Sequence, residues 1–443
     1  MKRVFGILSI LLIITGSAFA AGGAQPGAAS GDAPGEVLFW TPQTQPALGN
    51  MQKVVDAYNA TNPVAKVRMV QVPGSETDAT NLMTAVRGGT GPDVYYLDRF
   101  TTAQRANDGI LVDITDDLEK IERNFMSKYV PYAREEATWR GRVYALPHNT
   151  DTRGLYVNIQ MLRDAGVDPA VLDYRRGAPS MALIREISRK IDTKDAQGQY
   201  TKVGFIPQLG QGWHYTWGFA YGGKFADLAG GKVTPTDPGV VSGLQFLYDW
   251  NREMGVREVQ SFISSYLPPN APPQTHPFIT GNLAMVINTN SYPVTMAQYA
   301  PDVEFDCAYL PVVKEGDKPY TWSGGWSLTL PVGTKRKDAA VAFIAWAAGE
   351  PGNRIYVREQ ATFPSVAALI NELPTLLPNM KPALYLSLPN SNTRPPLPIA
   401  ALYWDALSRA QDLVVQNAQT PLQALQEVEA QVQPQLIRFL PLQ

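Results

Sequence analysis

The stretch from residue 37 to residue 97 restricts this chain most. Residues 37–40 (VLFW) form a short apolar run that ends in a polar loop at Thr41-Pro42. Residues 48–61 carry Met51, Val54, Val55 and Tyr58 at helical spacing, and Asn62-Pro63 stops them. Residues 66–72 read as a second strand, 78–87 as a second helix closed by Gly88-Gly89, and 93–97 as a third strand. Strand, helix, strand, helix, strand needs crossover connections, and so a parallel sheet with helices on its faces. Ligands of such sheets sit beyond the carboxyl ends of the strands. Trp40 and Thr41 close the first strand; Asp98 and Arg99 close the third.

Residues 139–158, WRGRVYALPHNTDTRGLYVN, interrupt this pattern. Two strand-like runs, 143–146 and 154–157, flank a polar insert of Pro147, His148, Asn149, Thr150, Asp151, Thr152 and Arg153. No Asn-Gly or Asp-Gly makes it a tight hairpin, and Pro147 removes a backbone donor. A crossover between two lobes that also faces a ligand has this composition. A plain polar loop between two strands shares it.

Beyond the insert the alternation resumes. Helices are expected at 161–165, at 180–191 with Ser180 as cap, and at 237–252 with Pro238 in the first turn. Residues 208–225 are rich in aromatic residues and glycine, and 264–277 read as a proline-rich loop. Strands follow at 283–287, 305–310 and 324–331, then helices at 338–348, 395–416 and 421–435. A chain of 443 residues exceeds one ordinary core and suits two or three domains. Charged residues make up only 18% and the formal net charge is -2, which argues against a nucleic-acid partner.

Lys2 and Arg3, the apolar run 4–14 and Ala18-Phe19-Ala20 read as a signal peptide over residues 1–20, cut after Ala20. Residues 21–35 read as a flexible N-terminus. No cysteine lies near the cut, so no lipobox is present, and no second long apolar run follows. The single cysteine, Cys307, rules out an intramolecular disulfide and reads as a buried apolar residue. A large exported chain without disulfides suits a periplasm.

Catalytic signatures are missing. There is no G-x-S-x-G elbow, and GGWS at 324–327 does not match one. The three histidines, His148, His214 and His276, have no zinc-ligand spacing, and no phosphate-binding loop occurs. No catalytic residue, cofactor or metal is therefore expected. One enzymatic alternative remains, a secreted glycoside hydrolase using Asp98 and Asp151. Against it stands the reading of both acids as ligand acceptors, or as ion-pair partners of Arg99 and Arg153. Trp40, Trp213, Tyr215, Trp217, Tyr292, Trp322 and Trp326 lie in or beside expected loops. Sugars stack their C–H faces on such rings, and Asp, Asn and Arg meet their hydroxyls.

Six ordered blocks carry a resemblance: VLFWT (37–41), AVRGGTGPDVYYLDRF (85–100), GRVYALPHNTDTRGLYVN (141–158), FITGNLAMVINTNSY (278–292), GGWSLTLPVGTKRKDAAVAFIAW (324–346) and PPLPIAALYWDAL (395–407). Over about residues 35–436 the chain resembles the extracellular solute-binding proteins, family 1, of ABC sugar importers, which include the maltose-binding proteins. The resemblance implies an α/β, two-lobe periplasmic binding protein fold (type II). Each lobe is then a mainly parallel sheet flanked by helices, joined by interlobe crossovers. Lobe 1 would hold residues 36–148 and 324–360, lobe 2 residues 149–323 and 361–443. It also implies a mono- or oligosaccharide in the interlobe cleft, delivery to ABC permease transmembrane subunits, membrane contact only through the permease, and a monomer. Its carbohydrate contacts would fall on Asp98, Arg99, Asp151, Trp213, His214, Trp217, Asn290, Tyr292 and Trp404, and the candidate ligand-binding set is completed by Trp40, Thr41, Asn149, Trp322, Gly325 and Trp326. Thr44 and Gln45 stand where maltose-binding protein carries an Asp-Lys pair, so the sugar is expected to differ from maltose. A polyamine, a peptide or a glycerol phosphate in the same fold is the other alternative.

Overall fold

The computed structural model describes residues 35–442. The signal peptide and nearly all of the 21–35 stretch lie outside the described residues.

Two five-stranded sheets organise the chain. In the first the order is Val67–Gln71, Val37–Thr41, Val94–Asp98, Trp326–Thr329, Ala145–Pro147. The first three pair in parallel, as their intervening helices require. Trp326–Thr329 lies antiparallel to both its neighbours. In the second the order is Phe305–Ala308, Arg153–Asn158, Leu283–Thr289, Tyr200–Gly210, Thr193–Lys194. Tyr200–Gly210 and Leu283–Thr289 are parallel, and Arg153–Asn158 opposes both strands beside it. The short Thr193–Lys194 also runs backwards. Most strands of each sheet thus share one direction, but the pairing is mixed.

The reversed strands Arg153–Asn158 and Trp326–Thr329 have one cause. The chain leaves the first sheet at Pro147, on its carboxyl rim, and enters the second at Arg153. It leaves the second at Ala308 and re-enters the first at Trp326. A chain that crosses from rim to rim must descend into the sheet that receives it. The insert 147–153 is therefore no hairpin, because its flanking strands belong to different sheets. Asn149–Thr150 pairs with Phe363–Pro364, and Thr321–Trp322 with Ser391–Asn392, so the crossing segments are tied to later ones.

The helices bury their apolar faces on these sheets. Ala47–Ala60 turns Met51, Val54, Val55 and Tyr58 inward, as their spacing dictates. Phe39 and Tyr58 meet Phe343 of Lys337–Ala347 at ring distances of 5.6 and 5.1 Å. In the other half Phe205 packs on Trp217 and Trp250. Ala400–Val415 and Pro421–Ile437 close the chain, the second starting in a Thr420–Gln423 capping box. Three expectations shift. The 208–225 stretch divides into the end of strand Tyr200–Gly210 and the helix His214–Ala220. The loop expected at 264–277 begins inside the helix Val256–Tyr266. The helix expected from 395 starts at Ala400, after the prolines 395, 396 and 398. Cys307 is free and buried, with burial pushing its thiol up.

Candidate ligand-binding site

The two carboxyl rims face one cavity of about 310 Å³. Asp98 and Trp326 are register partners at the end of the first sheet. Arg153 and Thr289 are partners at the end of the second. Both pairs line the cavity, with Asp151, Gln211, Trp213, Trp322, Gly324, Gly325, Phe100, Arg394, Trp404, Glu76 and Thr77. Its aromatic walls come from three places. Trp326 stacks on Tyr96 at 5.3 Å and 19°. Trp213 follows strand Tyr200–Gly210, and Trp404 rides the helix Ala400–Val415, their rings 5.6 Å apart. These three tryptophans are half-buried, leaving ring area open, whereas Trp322 is buried beneath the Arg153 guanidinium at 3.4 Å.

The polar wall is a set of compensated charges. Arg394 donates to Asp98 at 3.0 Å and lies over the Phe100 ring at 4.1 Å. Glu136, wholly buried, accepts from Arg99 Nε at 2.8 Å and stands 3.6 Å from Arg394 Nε. Arg153 pairs with Asp151, whose Oδ1 also accepts from the Gly324 amide at 2.6 Å. Three guanidinium groups thus meet three carboxylates. Buried charge is tolerated only when it is so paired and hydrogen-bonded. Burial pushes the Asp98 carboxyl up to about 6, although Arg394 pulls it down.

Seven of the sequence-predicted residues meet in this cavity: Asp98, Asp151, Trp213, Trp322, Gly325, Trp326 and Trp404. Eight do not line it. Trp217 is a correction: it is fully buried and donates to the carbonyls of Pro207 and Gly212, so its ring is core. His214 is equally buried behind Trp404, and burial holds it neutral at about 3. Tyr292 packs on Tyr156 and Phe278. Trp40 joins the small apolar cluster around Leu82 and Tyr95, and Thr41 caps its own loop through the Gln43 amide. Arg99, Asn149 and Asn290 hold the crossings instead. Arg99 donates to the carbonyls of Asn149 and Gly324, at 2.7 and 2.8 Å. Asn149 joins the Trp326 amide to Thr362, and Asn290 joins the Thr152 amide to Ala361.

The family model described as bacterial extracellular solute-binding protein matches residues 41–354. The chain belongs to that family. Among curated relatives, this solute-binding protein is 23% identical to the maltotriose-binding protein of Pyrococcus abyssi (strain GE5 / Orsay) over 326 residues, 72% of this chain. That match spans 63% of the relative's length. It is also 23% identical to the arabinooligosaccharide-binding protein of Bacillus subtilis (strain 168), covering 72% of this chain and 70% of that one. Among solved structures, mannobiose-bound CpMnBP1 superposes with a TM-score of 0.75 at 21% identity, over 89% of this chain and 98% of that one. An ABC substrate-binding protein from Listeria monocytogenes in complex with cycloalternan gives 0.74 at 19%, over 90% and 98%. These superpositions establish the two-lobe α/β fold.

Several residues in and behind the wall of this solute-binding protein carried little signal in the sequence. Arg394 precedes Pro395-Pro396 and reads as a loop residue, and Glu136 sits in an ordinary helical run. Their partners lie 296 and 37 positions away, a separation no local pattern reports. Gln211 and Thr289 could have been found, since each immediately follows or ends a strand at the carboxyl rim. A larger hollow of about 990 Å³ lies elsewhere, walled by Phe219, Phe225, Leu388, Pro389, Pro395 and Pro396 among others. Its charged groups are Glu135 and Lys224, and it holds none of the predicted residues. Size alone does not make it the site; the convergence of rims, rings and charges favours the smaller cavity.

Proposed function

We propose that this protein binds a mono- or oligosaccharide between its two rims and delivers it to the permease of an ABC importer. One observation carries the reading. Three part-exposed tryptophans and hydrogen-bonding side chains, among them Asp98, Asp151, Arg153 and Gln211, surround a single cavity between two sheets. Stacking surface beside fixed donors and acceptors is what a sugar ring requires. The paired charges balance and Glu76 adds one more carboxylate to the wall, which favours a neutral ligand over an anion. The relatives named for oligosaccharides support the same class.

In this reading the halves are lobes of residues 36–148 with 324–360, and 149–323 with 361–443. They turn about the crossings and close on the ligand. The protein is exported, with the signal peptide cut after Ala20, and acts as a monomer without catalysis. A thermal-shift screen over mono-, di- and trisaccharides tests the class, because ligand far above its dissociation constant stabilises by a few kcal/mol, ~3 at a hundredfold excess. Calorimetry with the best ligand should then show about tenfold or greater weakening in Asp98→Ala, Asp151→Ala and Trp326→Ala, each losing a contact worth ~1–3 kcal/mol. Unchanged affinity in all three would put the ligand elsewhere. Release of reducing sugar from an oligosaccharide would replace binding by hydrolysis.

A further inference from the structure

Among the described residues, five aromatic side chains line the cavity, but two of them offer it almost no surface. Phe100 and Trp322 are buried, and a guanidinium covers each: Arg394 lies over Phe100 at 4.1 Å and Arg153 over Trp322 at 3.4 Å. The Arg394 guanidinium carbon also stands 5.8 Å from the Trp322 ring and 5.9 Å from the Trp404 ring. Three rings thus surround one cation, and its counter-charges are Asp98 at 3.0 Å and Glu136 at 3.6 Å. Rings beside carboxylates make a place for a cation or for the face of a sugar. Here a side chain of the protein itself fills it, 4% exposed and part of the cavity wall.

The space left over is small. About 310 Å³ lies at the lower end of the ~300–1,000 Å³ of small-molecule sites. At the ~30 Å³ that a water takes in the liquid, it holds about ten waters, the room of one sugar ring with its hydroxyls and at most a second. A ligand reaching farther toward Phe100 must displace Arg394. That breaks a buried ion pair, stranding Asp98 and leaving Glu136 with Arg99 alone. We propose that Arg394 is a specificity-determining residue that limits ligand length: its guanidinium occupies the stacking place of a further ring and restricts the site to mono- and disaccharides. The inference rests on the sugar-binding reading above and names the size of the ligand within it.

Calorimetric titration with homologous series of one to four units, built on mannose, glucose and arabinose, tests the limit. In wild type the trisaccharide of the best-bound series should bind at least about tenfold more weakly than its mono- or disaccharide, the effect of a clash with a fixed wall. Arg394→Ala uncovers the Phe100 face and enlarges the cavity. It should bring that ratio to about twofold or less, or invert it, because a further ring gains room and a stacking surface. Arg394→Lys keeps a charge opposite Asp98 and Glu136, and with it the fold, but a compact ammonium does not cover a ring as a planar guanidinium does. It should give an intermediate ratio, whether or not Arg394→Ala folds. A purely structural role for Arg394 would weaken all lengths alike and leave the ratio where it was. An unchanged ratio in the folded variants therefore overturns the role of Arg394. A wild type that holds the trisaccharide as tightly as the shorter members overturns the length limit while leaving sugar binding intact. Failure of every member to bind wild type overturns the functional reading itself, and the limit with it.

Discussion

At the residue scale, Asp98 concentrates most of the chemistry. It ends a central strand, faces the cavity and holds Arg394. Burial lifts its carboxyl from an ordinary 3.8 to about 6. The folded protein therefore takes up a proton here that the unfolded chain releases between those values. The stability this contributes is complete below 3.8 and disappears as pH rises through about 6. Binding should move in the opposite sense. Below about pH 6 the carboxyl of the empty site is protonated, accepts fewer hydrogen bonds and leaves Arg394 with Glu136 as its nearest counter-charge. Sugar affinity should fall by up to about tenfold per pH unit between 6 and 5, the limit for one linked proton. Asp98→Asn should bind more weakly at pH 7.5 and show a flat profile. A flat profile in wild type would mean that Asp98 does not touch the ligand. Asp98 was legible in the sequence because it ends a buried strand. Trp213 and Trp217 show where such reading stops. Four residues apart in the aromatic stretch 208–225, both read as ligand contacts. Trp213, however, precedes the helix in extended backbone and faces the cavity, while Trp217 enters the core.

At the scale of elements, the alternation of strands and helices was readable because each strand is a short buried run and each helix has one apolar stripe. Reversal of Arg153–Asn158 and Trp326–Thr329 was not readable, since direction is set by which rim the chain arrives from. The glycine inside the reversed strand reports how tightly that arrival is packed. A methyl group on Gly154 would stand 2.5 Å from Cys307 Sγ on the adjacent strand and 2.8 Å from Leu384 Cδ2. Gly154→Ala should therefore cost ~1–3 kcal/mol in urea unfolding, the usual range for overpacking a filled core. Adding Cys307→Ala removes the sulfur and should recover part of that loss, a coupling that a double-mutant cycle measures directly. Additive losses would show that Leu384, not Cys307, sets the limit.

At the scale of the whole molecule, the crossings form one hydrogen-bonded ribbon between the sheets. Arg99 is its pin: one side chain holds Glu136 in the first half, Asn149 in the first crossing and Gly324 in the return crossing. Thr150 adds a bond to Gly324, and Thr362 joins the ribbon through Thr150 and Asn149. Relative motion of the halves, as proposed above, turns about this ribbon and has to break the Arg394–Asp98 bond, which joins the same halves outside it. A ligand shifts such motion only by contacts it makes in the closed form. Saturating sugar should accordingly reduce the radius of gyration measured by X-ray scattering. Arg99→Met leaves the cavity-lining side chains unaltered but strips Glu136 of its closest partner. It should lose ~3–5 kcal/mol of stability, as expected when one member of a buried pair is removed. It should also bind sugar at least about tenfold more weakly, because Asn149 and Gly324 lose the donors that set the cavity floor. Full affinity and an undiminished contraction in Arg99→Met would assign the hinge to the strand pairings alone and leave Arg99 a purely structural ion pair.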